Sequence, residues 1–323
     1  MARTARFRLE AAPDAPAASS YWARAGRRLL RNRMAALSIV VIALLVLIAV
    51  AAPLIAPHDP STQDLRHTFE SPSLHHLAGT DNLGRDWFSR LIYGTRVSLS
   101  IGVFAQAIVL GIGMPVGLIA GYKSGAVDSL LMRATDLFYA FPDLLLIILL
   151  RAVVGGSVFM LFLVIGLVSW MDIARLVRGQ VLSLREREFV TAARALGASD
   201  REIMTRHLLP NLAGPVIVLV MLGVPRAVFV EAALSFIGLG VTGSTPSWGT
   251  MVQEGYSAIV GFPYLVIFPS AAIALLMLVF TFLGDGLRDA LDPSTDLSPP
   301  LPQVDAPRRE EAPPQPAELP KAA

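Results

Sequence analysis

Glu186-Arg-Glu-Phe-Val-Thr-Ala-Ala-Arg-Ala-Leu-Gly197-Ala-Ser-Asp-Arg-Glu-Ile-Met-Thr-Arg-His-Leu-Leu-Pro210 is a polar stretch set between two long apolar runs. Phe189, Ala192, Ala193 and Leu196 recur at helical spacing with Arg185, Arg187 and Arg194 on other faces, which predicts a short amphipathic helix. Gly197 ends it, because a left-handed terminal residue is easiest without a Cβ. Ser199 and Glu202 then have capping-box spacing, in which each side chain satisfies a backbone N–H that a new helix leaves unpaired. The second helix is predicted to stop at Pro210, whose ring disfavours the helical conformation in the residue before it. A helix–turn–helix of this polarity between apolar runs belongs at a membrane surface, presented for docking.

The rest of the composition agrees. Of 323 residues, 54% are hydrophobic and 16% charged, and the mean hydropathy is +0.58. That balance predicts an all-α polytopic membrane protein rather than a soluble domain. The absence of cysteine excludes disulfides, thiolate metal sites and thiol nucleophiles. The net charge of +2 is small and its arginines are strung along loops between apolar runs, so they read as topology signals and not as a nucleic-acid surface.

Six spans are predicted, at about 34–56, 97–121, 131–154, 158–177, 212–239 and 264–287. The first follows the basic run Arg24, Arg27, Arg28, Arg31, Arg33 and is longer than the apolar core of a cleaved signal peptide, so it is expected to be an anchor with the amino terminus inside. The 178–211 loop, rich in arginine, then faces inside, while the 57–96 loop offsets its four arginines with five acids and faces outside. Residues 1–33 are read as a cytoplasmic segment, 34–292 as the transmembrane domain, and 293–323, rich in Pro, Ala and acids, as a disordered cytoplasmic tail.

Motifs in the same order along most of the chain carry a resemblance. Ala192, Ala193, Gly197, Leu209 and Pro210 match the Ala-Ala…Gly…Leu-Pro loop of ABC importer permeases, with Thr191 where the general pattern has Glu and His207 where it has Ile. Gly79-Thr-Asp-Asn-Leu-Gly-Arg-Asp-Trp-Phe-Ser-Arg90 resembles a segment of the second permease subunit of dipeptide, oligopeptide and nickel importers. The likeness continues through Asp136 with Ala140-Phe-Pro142, Ala174-Arg-Leu-Val-Arg-Gly-Gln180, Glu231 to Gly240, Pro246-Ser-Trp-Gly249 and Leu283 to Pro293. The resemblance implies five core helices of a type I importer plus an extra first helix. It also implies ATPase coupling through Thr191, Ala192, Ala193, Gly197, Ser199, Glu202, Leu209 and Pro210. It implies four partners as well: a second homologous permease, two cytoplasmic ATPases that hold the ATP and Mg, and an extracytoplasmic binding protein.

Read from residues alone, Trp87, Phe88, Leu91 and Ile92 interleaved with arginines look like an interfacial anchor. Asp136, Asp143, Arg226 and Glu231 lie inside predicted spans, where ionisable groups pair or face a watery cavity. Asp143, beside Pro142, is expected to pair with Arg226, in which case Asp143→Asn strands a buried cation. Glu231 divides evenly between helix packing and a pathway role. His58, His67, His75 and His76 lie in the 57–96 loop without thiolates, and solvated histidines with no metal account for them. There is no Gly-x-x-x-x-Gly-Lys-Ser/Thr loop, His-Glu-x-x-His pattern or Gly-x-Ser-x-Gly elbow, so the chain is expected to be non-catalytic and to bind no cofactor itself. The competing function is an autonomous secondary transporter or channel.

Overall fold

The computed structural model describes residues 21–155 and 157–292; the proposed tail and residues 1–20 lie outside them. All regular elements among the described residues are helices. A short amphipathic helix α1 (Tyr21–Arg31) turns at Asn32, whose side chain accepts the N–H groups of Met34 and Ala35 and caps α2 (Arg33–Ile55). The first predicted segment is therefore partly helical, and Leu29 of α1 packs beside Gly286 near the end of the last helix. One side of α2 is buried through Ala35, Ser38, Leu45, Ala49 and Ala52, while Leu37, Val40, Leu44, Leu47 and Leu54 stay exposed. Exposed leucines along a span are what a helix at the lipid boundary presents.

The central element is α3 (Trp87–Lys123), 37 residues long and so roughly 55 Å at 1.5 Å per residue, well beyond a hydrocarbon layer of about 30 Å. It begins ten residues before the predicted span because Trp87, Ser89 and Arg90 are buried by protein and need not be apolar to lipid. Gly113, Gly117 and Gly121 recur every four residues along it and bring its backbone against α7 (Met171–Leu184).

Two predicted spans are bent. The third is broken at Ala140–Pro142 into α4 (Gly125–Tyr139) and α5 (Asp143–Val154), which meet at 81°. Pro142 has no N–H to continue the ladder and biases Phe141 away from the helical region, so the chain turns there. The fourth bends by 40° at Trp170, between α6 (Val158–Ser169) and α7. Among the described residues four helices are long and apolar enough to cross a membrane, and up to six spans result if each bent pair counts as one.

Beyond α7 come α8 (Glu188–Ala195), a single turn α9 (Asp200–Glu202), and a π-helical turn over residues 203–208 that leads into α10 (Leu209–Phe236). The helix does not stop at Pro210, as its local preference predicts. In the wider π turn the Leu209 N–H reaches back to the Met204 carbonyl, and Pro210 enters at the start of α10, where its missing N–H costs least. Then α11 (Trp248–Tyr256) opens on a reciprocal capping box between Ser247 and Thr250, and α12 (Tyr264–Leu291) closes the bundle. One apolar core joins α3, α6, α7 and α10, and a second joins the middle and later part of α2 and the start of α3 to α10, α11 and α12.

Candidate functional site

The 186–210 loop folds as a closed unit on one end of the bundle. At Gly197 φ is +85°, the Gly197 N–H donates to the Arg194 carbonyl and the Ala198 N–H to the Ala193 carbonyl, each at 3.0 Å. This pair of bonds terminates α8 and absorbs two of its orphan carbonyls. Ser199 accepts the Glu202 N–H at 3.3 Å, but the Glu202 carboxylate is taken by Arg206 at 2.6 Å, so only half of the predicted capping box forms. Asp200 accepts from the Tyr122 hydroxyl and the Lys123 ammonium, both at 2.8 Å, and Arg185 donates to the Gly121 carbonyl. The loop is thereby pinned to the end of α3.

The apolar stripe is divided differently from the sequence expectation. Val190 and Ala193 are buried, Val190 in one core with Ile203 and Leu208, while Phe189, Thr191, Ala192 and Leu196 are exposed. Leu196 is 89% exposed. Leu209 is partly buried and Pro210 exposed at the base of the unit. A rigidly held loop thus displays an apolar tip that nothing among the described residues covers, which is the character of an anchor residue for a pocket on a partner.

On α4 to α10 lies a chain of charges that the sequence reading caught only in part. Arg226 donates to Asp143 at 2.7 Å and to Asp172 at 2.8 Å. Tyr139 donates to Asp172, Arg175 lies 3.8 Å over the Tyr139 ring, and Arg175 donates to Asp136 at 2.6 Å. Asp172, Tyr139 and Arg175 were not singled out from the sequence, although the polar Asp172 in an apolar run was the available signal. Two adjoining cavities of about 220 and 240 Å³ share Ser169, Asp172 and Arg226 in their walls, the second reaching Asp143, Phe141 and Pro142. The break at Pro142 is what delivers Asp143, the first residue of α5, to this cavity.

The Arg226 side chain is 54% exposed, so the pair is not buried, contrary to the sequence expectation. Removing Asp143 also leaves Asp172 in place. Asp143→Asn is therefore expected to shift the melting temperature in detergent by no more than about 2 °C, the range of exposed ion pairs. Removing both acids is expected to lower it further, because the cation then has no carboxylate. A single-variant loss as large as that of the double variant would show that Asp172 does not share the charge.

Glu231 lies elsewhere. It is fully buried and accepts from Ser235 at 2.7 Å and Ser247 at 2.6 Å, joining α10 to the start of α11. It lines neither cavity. Arg151 was missed: it is buried on α5 and donates to the carbonyls of Leu239 and Gly240, closing the end of α10.

Comparison with known proteins agrees with this architecture. Residues 113–297 match the model of the binding-protein-dependent transport system inner membrane component, and residues 20–72 match the N-terminal TM domain of oligopeptide transport permease C. The chain belongs to the binding-protein-dependent transport permeases. The oligopeptide transport system permease protein OppC of Bacillus subtilis strain 168 is 41% identical over 274 residues, covering 85% of this chain and 90% of that protein. The dipeptide transport system permease protein DppC of the same strain is 42% identical over 275 residues, covering 85% and 86%. The glutathione transport system permease protein GsiD of Pectobacterium atrosepticum is 40% identical over 273, covering 84% and 91%. Among solved structures, an inward-facing MetNI methionine ABC transporter shares the fold, with a TM-score of 0.52 over 63% of this chain and 96% of that one, at 19% identity.

In this permease the Gly79–Arg90 motif is a buried scaffold and not the interfacial anchor expected from its aromatics and arginines. Asp81 accepts from the Arg85 side chain at 2.7 Å and from the backbone N–H groups of Leu83 and Arg85. Arg85 and Arg90 both donate to Glu254 of α11, at 2.9 and 2.7 Å, and Arg90 and Trp87 are buried. The partner that buries these cations lies more than 160 residues away, which no local pattern reports. Gly284 and Gly286, in the last motif, are packing contacts against Leu222 and Ala35.

Of the loop histidines, His67 is exposed and paired with Asp64 at 2.9 Å; that hydrogen bond and the carboxylate's charge raise the histidine above its ordinary range. His75 is exposed as well. His58 and His76 are not dispersed in solvent: both converge on Asp86, which caps α3.

Proposed function

We propose that this permease is one half of a two-permease pore in an ATP-driven importer, moving peptides or related small solutes such as nickel chelates by alternating access. The observation that carries this reading is the rigid 186–210 loop with Phe189, Ala192 and Leu196 uncovered at its tip, a surface built to be pushed by a partner. The relatives, named as oligopeptide, dipeptide and glutathione permeases, support the solute class. One of two ATPases would dock on that tip and the other on the homologous permease's loop, both holding ATP and Mg; that second permease would complete the cavity at Asp143, Asp172 and Arg226, and an external binding protein would deliver the solute. This chain would hold neither the ATP nor the Mg itself and would catalyse no reaction. Both termini would lie in the cytoplasm, with the 57–96 loop outside the inner membrane.

The test is reconstitution. Uptake of a labelled dipeptide into proteoliposomes is expected to need the co-purifying ATPases and ATP; flux through this chain alone would replace the reading with an autonomous carrier or channel. The orientation is tested on the cysteine-free background. A cysteine at Leu74, which is fully exposed, is expected to react with an impermeant thiol reagent in intact cells, and one at the exposed Ser183 only in inverted vesicles. Labelling of the second from outside would reverse the topology and remove the docking role.

A further inference from the structure

Three side chains of the loop between α2 and α3 offer ligand atoms to one point. His76 Nδ1 lies 2.8 Å from Asp86 Oδ1, His58 Nδ1 lies 3.7 Å from the same oxygen, and the two imidazole rings are 5.0 Å apart. One ligand atom from each of the three lies within 4.8 Å of the others. Around a tetrahedral ion with bonds of about 2.0–2.2 Å, neighbouring ligand atoms stand roughly 3.3–3.6 Å apart. The observed separations bracket that value, so small ring rotations would seat an ion.

The backbone around these side chains is already held. The His58 N–H donates to Ser89 Oγ at 3.0 Å. The other carboxylate oxygen of Asp86 accepts the Ser89 N–H at 2.7 Å, which orients the carboxylate from behind. His76 sits in a closed turn: its N–H donates to Ser73 Oγ, and its carbonyl accepts from the Ser73 and Gly79 N–H groups. The side chains grade outward, Asp86 3%, His76 19% and His58 42% exposed, so the set opens to solvent on the His58 side, where water can fill a fourth position. The nearby guanidiniums of Arg85 and Arg90 are directed to Asp81 and Glu254 instead. A pinned, partly buried set of two imidazoles and one carboxylate with an outer hydrogen bond is the construction of a metal site, not of a chance surface pair.

We propose that His58, His76 and Asp86 form a site for a divalent late transition cation of the zinc class. Two nitrogen ligands select against Mg²⁺ and Ca²⁺, which take oxygen. His58 follows α2 by three residues and Asp86 is the cap of α3, so the ion joins the ends of two helices across the loop that separates them. The site is a staple independent of the cavity at Arg226, and it does not depend on which solute is moved.

The full-length chain, purified without a polyhistidine tag, stripped with chelator and held in lipid nanodiscs, is titrated with ZnCl₂ by calorimetry. Co²⁺ is used in parallel, its visible absorption reporting nitrogen and oxygen coordination. About one ion per chain is expected, with affinity falling about ten-fold or more in His58→Ala and in His76→Ala, in the range of lost metal partners. His75→Ala is expected to bind as the wild type does. The metal-free melting temperatures of all three variants show that the chain is folded. Equal titration of wild type, His58→Ala and His76→Ala overturns the proposal, as does an equal loss in His75→Ala. A Mg²⁺ excess that displaces the Co²⁺ spectrum would also overturn the assignment to a zinc-class ion.

Discussion

Gly117→Leu is expected to leave little or no folded permease in the membrane. A Cβ at this position would stand 2.4 Å from the Ala174 carbonyl oxygen and 2.8 Å from Val177 Cβ. The neighbours above and below are as close: at Gly113 the Trp170 carbonyl lies 2.6 Å away, and at Gly121 Val181 Cβ lies 2.8 Å away. These obstacles are backbone and β-carbons, which cannot swing aside as the end of a long side chain can. A leucine must therefore separate α3 from α7. Between helices in lipid the attraction is van der Waals packing with no hydrophobic gain to replace it. Separation uncovers Ile173, Ala174, Val177 and Val181, all buried in the main core. Overpacking alone costs about 1–3 kcal/mol, and losing several buried contacts adds to it, against a total stability of roughly 5–15 kcal/mol. The measurement is the monodisperse fraction on size-exclusion chromatography of a fluorescent fusion. Gly179→Leu, on the exposed side of α7 with nothing within 4 Å of its Cβ, is the control and is expected to keep its peak. A normal peak for Gly117→Leu would show that the close approach of α3 and α7 is not required.

Leu196→Asp is expected to give the opposite pattern, a stable permease that does not transport. Leu196 is almost fully exposed and Gly197 after it carries the positive φ, so the substitution disturbs neither packing nor the termination of α8. On the proposed docking, burying the leucine contributes about 1.5–3 kcal/mol, and an unpaired carboxylate in the same pocket adds a penalty of a few kcal/mol. Together these correspond to a loss of roughly two orders of magnitude or more in coupled uptake. ATP-driven uptake in proteoliposomes and the melting temperature are measured on the same preparation. Uptake near the wild-type rate would mean that the tip is not the docking surface. Ala193→Asp is expected to fail differently: Ala193 is buried against the bundle, so that change lowers stability as well as transport.

Much of the frame was legible in the sequence because it depends on local sums. The number and rough position of the spans follow from hydropathy over about twenty residues. The end of α8 at Gly197 and the start of the next turn at Ser199 follow from the conformational freedom of one residue and the hydroxyl of another. These properties belong to a short window and do not depend on what lies across the bundle.

Proline shows where that stops. Pro53, Pro115, Pro215, Pro225 and Pro269 stay within continuous helices, whereas Pro142 stands at an 81° break. The lost N–H is the same in every case, and the surrounding helices decide whether the chain continues. The charges behave likewise. Asp143 and Arg226 were visible as intramembrane ions, but Asp172 as second acceptor, 54 residues from Arg226, was not. Arg90 reads as an interfacial cation until Glu254, 164 residues on, is placed against it. In the 186–210 loop the apolar period was visible, yet the side that faces the core is Val190, in one cluster with Ile203 and Leu208, and Ala193, while Phe189, Ala192 and Leu196 are left outside. The sequence determined by itself where helices form and that they lie in a membrane, because those free energies are carried by residues close in the chain. Only the tertiary structure decided which polar groups meet and which apolar ones remain uncovered, because those energies exist only once distant segments are packed together.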